Sequence, residues 1–200
     1  LQSADPEYAT RAGSNNVHFL LPLTDPSIKL DTYIFRCIAE GAELNALGIY
    51  SWYHARAIAK ISRVNSNNLT PEERSVLILS ALADEAFALH FLQDVFAAGH
   101  AAGTRGDASQ RKGTHDYYNE YGLKVSTWEG ESLVLTGDAW MRYEDSERAS
   151  IAVRMSLEAF LNAARSSFND QPILKEINLT APEDFNVCAN YFMPAIKTGT

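Results

Sequence analysis

The chain has 200 residues, a formal net charge of −8 and an isoelectric point near 5.1. That acidic balance excludes a scaffold holding nucleic acid electrostatically, which needs a basic face to neutralise phosphates. Apolar residues make up 46% and charged residues 21%, an ordinary globular composition that predicts one domain over 1–200 with a full core and neither repeats nor disorder.

The opening LQSADPEYAT lacks the basic and apolar regions of a signal peptide, and no apolar run of about 18 residues is evident, which predicts no membrane span. Residues 1–27 read as irregular, broken by Pro6, Gly13, Asn15, Asn16, Pro22 and Pro26. Within them lies His18, in NNVHFLLPL. A lone histidine in an apolar strip is ordinarily structural, so His18 bears on chemistry only if the fold brings it to other donors.

From about Ile28 to Arg63 the pattern is helical, as two helices interrupted around 41–48. In the second, Leu47, Ser51, His54, Ile58 and Ile61 fall near one stripe, which turns His54 inward. An inward histidine needs a polar partner. Glu40 and Glu43 are candidate carboxylates, or else simply a solvated face. The cysteines, Cys37 and Cys188, fit either a bridge or two buried thiols.

NNLTPEERS is a helix start, with Thr70 as cap, Pro71 at the first helical position and Glu73 completing a capping box. The helix is predicted to reach about Ala97, with Val76, Leu79, Ala83, Phe87, His90 and Asp94 on its buried rows. Residues 101–113 read as a loop, and Thr114 caps a short helix carrying His115, Tyr118 and Asn119. The stretch from Leu123 is mixed, with a turn at Asp138. A last helix, Ser146–Phe168, is predicted to bury Ile151, Met155, Leu157, Phe160 and Leu161, before an irregular tail with Pro172, Pro182 and Pro194.

The chemistry concentrates in HFLQDVFAAGH. His90 and Asp94, four residues apart, share one helix face, and Gly99 lets the chain turn so that His100 approaches them. Imidazole nitrogens with carboxylate oxygens and no thiolate suit a borderline cation such as Zn²⁺, or Fe, Mn or Ni. The competing explanation is a core histidine with a salt-bridge partner, against which the third donor and the other histidines weigh.

H-F-L-x-D followed six residues later by H resembles the zinc-dependent phospholipase C family and the related P1-type nucleases, over roughly residues 14–120. The chain's five histidines, His18, His54, His90, His100 and His115, each have a place in that family's order. The short interval from His100 to His115 is closer to the phospholipases. The resemblance implies an all-α helical bundle with two to three zinc ions that hydrolyses a phosphodiester, most closely a phospholipid headgroup, with transient membrane-surface contact, no stable nucleic-acid complex and a secreted or periplasmic location. A P1-type single-strand nuclease or nucleotidase, and a helical binding protein with structural metal, are the alternatives.

Carried onto this chain, the resemblance assigns His54, His90 and Asp94 to one metal and His100, His115 and Asn119 to a second. His18 then serves a third that shares Asp94, and Glu43 or Glu40 acts as acidic ligand or general base. The chain departs from the family in having Asn119 where an acid is expected, with Asp116 and Glu120 alongside as alternative ligands, no early aspartate, and Leu1 where a tryptophan amine binds zinc. Tyr50, Trp52, Tyr53, Tyr117 and Tyr118 are candidates for a choline pocket, though aromatics near a core helix ordinarily serve packing.

Overall fold

The computed structural model describes residues 16–23, 25–102 and 112–165. The Leu1 amine, the bridge to Cys188, the helix beyond Arg165, the tail and most of the 101–113 loop lie outside them. Of the described residues 64% are helical and 6% are in strands. The predicted helical class holds, with a small sheet that the sequence did not announce.

The helices are α1 (Leu30–Ile38), α2 (Ala46–Ile61), α3 (Pro71–Asp94), α4 (Ala98–Ala102), α5 (His115–Tyr121) and α6 (Tyr143–Arg165). Between α5 and α6 an antiparallel hairpin pairs β1 (Leu123–Ser126) with β2 (Ser132–Leu135), Leu123 opposite Leu135. Short 3₁₀ turns occupy Asn16–His18 and Asp138–Trp140.

Local chemistry starts the main helices. Asn45 caps α2 by accepting from the Gly48 amide at 2.8 Å, while its own amide donates to the Cys37 carbonyl at 3.0 Å and so ties α1 to α2. The predicted capping box of α3 is present, with Glu73 N–H donating to Thr70 Oγ1 and Thr70 N–H to the Glu73 carboxylate. Helices α2 and α3 pack along each other and α6 lies against both.

Two buried clusters fill these contacts. Val17, Ala46, Ile49 and Phe91 pack beneath the C-terminal end of α3, and Ala57, Ile61, Val64, Ala81 and Phe160 pack farther along. Trp128 of the hairpin donates to the Ile28 carbonyl at 2.8 Å, which docks the hairpin against the start of α1. Fully buried Asp145 accepts from Thr136 Oγ1 at 2.7 Å and Arg142 Nε at 3.0 Å. These bonds fix the exit of the hairpin against the start of α6.

Two expected faces are corrected. On α3 the inward residues are Ala81, Asp84, Glu85, Ala88, Phe91 and Leu92, whereas Val76 and Leu79 are exposed. Apolar side chains surround this helix, so their pattern gives no direction, and two acids face inward because polar side chains of α2 meet them. Asp84 lies 2.6 Å from Lys60 Nζ and 3.3 Å from Arg56 Nε, and Glu85 meets His54. On α6 the buried residues are Asp145, Ala149, Ser156 and Phe160, while Ile151, Met155, Leu157 and Leu161 are exposed. Helix α3 is also long and apolar enough to cross a membrane by length and composition alone.

Candidate metal centre

Four of the five histidines converge at the C-terminal end of α3. His18 arrives through its neighbours: Val17 enters the core beside Phe91, and Phe19 is buried edge-on to His100 with ring centres 5.2 Å apart. The backbone is tied on both sides, Ala46 N–H donating to the Phe19 carbonyl and Leu20 N–H to the His100 carbonyl. His90 and Asp94 come from the last turns of α3, as expected. His100 comes from α4, and His115 from the first turn of α5, which Thr114 caps.

The donors form two groups of three, His18 with His90 and Asp94, and His100 with His115 and Asp138. In the first, His18 Nδ1 lies 2.7 Å from Asp94 Oδ2, and His90 Nε2 lies 3.3 Å from His18 Nδ1 and 3.5 Å from Asp94 Oδ2. In the second, His115 Nε2 lies 3.1 Å from His100 Nε2 and 3.5 Å from Asp138 Oδ2. Asp94 links the two, since its other oxygen, Oδ1, is 3.4 Å from His100 Nδ1.

Apart from the 2.7 Å hydrogen bond between His18 and Asp94, these distances of 3.1–3.5 Å are compatible with a shared cation. Ligand atoms about 2.0–2.1 Å from a tetrahedral zinc stand about 3.3 Å from one another. Two imidazole nitrogens facing at 3.1 Å share at most one proton, so either an N–H···N hydrogen bond or a cation joins them. Asp116 Oδ1, 2.7 Å from His115 Nδ1, holds the proton on that nitrogen and leaves Nε2 as a lone-pair donor toward His100. His100 Nδ1 is buried and lacks a well-formed hydrogen bond, its 3.4 Å approach to Asp94 being ion-pair range only. Burial pushes the His100 pKa below its ordinary value, and the Asp94 charge offsets this only in part. A neutral imidazole is the form that binds metal.

The floor and rim differ. Side-chain exposure is 13% for His100 and 14% for Asp94, against 55% for His90 and 48% for Asp138. The centre is therefore shielded on one side and open to solvent on the other. Compared with known proteins, the chain matches no family model, no curated sequence and no solved structure.

His54 does not join the centre. Its Nδ1 lies 2.7 Å from Glu85 Oε2, and Glu85 is nine residues before Asp94 on α3, about 13 Å along the axis. Ser156 donates to Glu85 Oε1 at 2.7 Å and accepts from Tyr50 OH at 3.0 Å, and the Tyr50 ring stacks on His54. Ser156 Oγ and Glu85 address the same His54 nitrogen, so the three form no nucleophile relay. The inward turn of His54 was legible; its partner, an acid on the inward face of α3, was not.

Three other expected ligands also fall outside. Glu40 is exposed in the turn after α1, Glu43 lies in the following loop, and neither belongs to either group. Asn119 is buried beside the second group, but its Oδ1 accepts from Gly99 N–H at 2.6 Å and its Nδ2 donates to Asp138 Oδ2 at 2.7 Å. Asp138 is the acid that sequence reasoning passed over. Its turn in TGDAW was visible, but only the hairpin that precedes it carries the turn to His115. Among the aromatics, Trp52 and Tyr53 pack on each other and under Arg56, and Tyr117 packs on Tyr118 and Tyr121.

Proposed function

We propose that this protein is a zinc-dependent phosphodiester hydrolase of the phospholipase C kind, with one cation in each three-residue group. The observation that supports this is the pair of triads, His18/His90/Asp94 and His100/His115/Asp138. Three protein donors leave a position for water or substrate, as catalytic zinc sites do, whereas structural sites are closed by four.

Cations bound there would lower the pKa of a coordinated water and offset negative charge on phosphate oxygens. The chain's residues provide the setting. Asp94 and His100 form a floor shielded from solvent, and Asp116 fixes the His115 ring. His90 and Asp138 form the exposed side from which a substrate enters. In a chain of net charge −8, cations held here would supply the local positive charge that a phosphate needs. Exposed Trp140 and Tyr143 lie within five residues of Asp138, and such amphipathic rings suit contact with a lipid surface.

The test compares hydrolysis of phosphatidylcholine and of single-stranded DNA, side by side with added zinc. Cleavage of the lipid supports the proposal, and cleavage of DNA alone replaces it with the nuclease reading. His90→Ala is expected to lower the metal content and abolish activity. Full metal and activity in that variant would remove His90 from the mechanism.

A further inference from the structure

We propose that the second cation takes its carboxylate from Asp138 and that Asn119 is the residue that positions it, an inference that rests on the metal reading above. Asn119 is 1% exposed. Gly99 N–H can only donate, so its 2.6 Å contact identifies the Asn119 oxygen and fixes the orientation of the amide. Nδ2 then faces the centre, 2.7 Å from Asp138 Oδ2 and 3.2 Å from His115 Nε2. A group that presents hydrogens to the centre cannot ligate a cation. It can hold a carboxylate that does.

The surrounding backbone is shaped to bring Asp138 to this contact. Asp138 has φ 48°, a left-handed conformation uncommon outside glycine. Ala98 N–H donates to the Thr136 carbonyl and Gly137 N–H to the Asn119 carbonyl, both at 3.2 Å, laying residues 136–138 over α4 and α5. Residue 137 has no room for a side chain, because a Cβ there would collide with Asn119 Oδ1. Strain at one residue, held in place by its neighbours, marks a position where geometry serves a site. The second site is thus two imidazoles and one carboxylate, a set for a borderline divalent cation.

The experiment uses the full chain stripped with chelator and reloaded with Zn²⁺ or Co²⁺, reading equivalents by elemental analysis, affinity by competition titration and ligand set by the Co²⁺ visible spectrum. Asp138→Asn, an isosteric change at an exposed residue, is expected to lose one equivalent and the Co²⁺ bands of that site. Asn119→Ala is expected to weaken the second equivalent by about 10–100-fold and leave the first unchanged, with no further weakening when it is added to Asp138→Asn, a non-additivity that a role confined to the α4–α5 contact would not produce. Thermal unfolding of the metal-free variants checks that each is folded. Retention of both equivalents in Asp138→Asn overturns the proposal, as does loss in Asn119→Ala of an equivalent that Asp138→Asn keeps. A wild-type chain that takes up no metal overturns instead the reading beneath it.

Discussion

Asp94 uses its two oxygens separately, one 2.7 Å from His18 and the other 3.4 Å from His100, so a single carboxylate serves both halves of the centre. The backbone permits this because Gly99 has no side chain. A Cβ there would stand 2.6 Å from the His115 carbonyl and 2.8 Å from Asn119 Nδ2, both fixed atoms. Gly99→Ala is therefore expected to destabilise the fold by about 1–3 kcal/mol, measured by urea unfolding, and to lower metal affinity at the second group. An alanine variant with wild-type stability and metal content would show that α4 and α5 have slack the structure does not contain. The sequence reads Gly99 as a helix stop, whereas α3 ends at Asp94 and Gly99 lies inside α4. Its closer role, as the contact between α4 and α5, depends on a residue twenty positions away.

At the level of elements, α3 was the clearest in the sequence and also the most misleading. Its start follows from Thr70, Pro71 and Glu73, side-chain chemistry confined to four positions. Thr70→Ala should cost about 1 kcal/mol, read as a shift in unfolding midpoint with metal stoichiometry unchanged, and loss of metal in that variant would contradict the separation of cap from site. Its facing was not legible, since Asp84 and Glu85 turn inward to partners on α2 and α6 that local pattern cannot reveal. The hairpin was missed for a similar reason. LKVS and SLVL are each only four residues long, too short for their alternation to stand out, and what docks them is tertiary: Trp128 on Ile28 and Thr136 on Asp145.

At the scale of the whole molecule, acid should act in two steps. The His100 pKa is lowered from its ordinary 6.5, mainly by burial. The unfolded chain therefore binds that proton first, and stability of the metal-free protein falls as pH drops below 6.5 through the lower folded value. Asp145 follows. Burial raises its pKa, but hydrogen bonds from Arg142 and Thr136 outweigh burial and set it below 3.8, so its contribution is present above 3.8 and lost as pH falls through the folded value. Urea midpoints measured against pH in chelator should show the first step, and His100→Asn should remove it. An unchanged slope in that variant would assign the step elsewhere.

Four histidines spread over nearly a hundred residues reach one place because Val17, Phe91 and Ala46 pack together beneath them and because the hairpin returns Asp138 to α5. The order of the histidines suggested such convergence, while the exclusion of His54 and the entry of Asp138 are consequences of packing alone. The most direct measurement is anomalous scattering at the zinc edge from crystals grown with zinc. Two peaks are expected, one among His18, His90 and Asp94 and one among His100, His115 and Asp138. Peaks confined to the surface, or a peak at His54 and Glu85 with none at Asp94, would contradict the account.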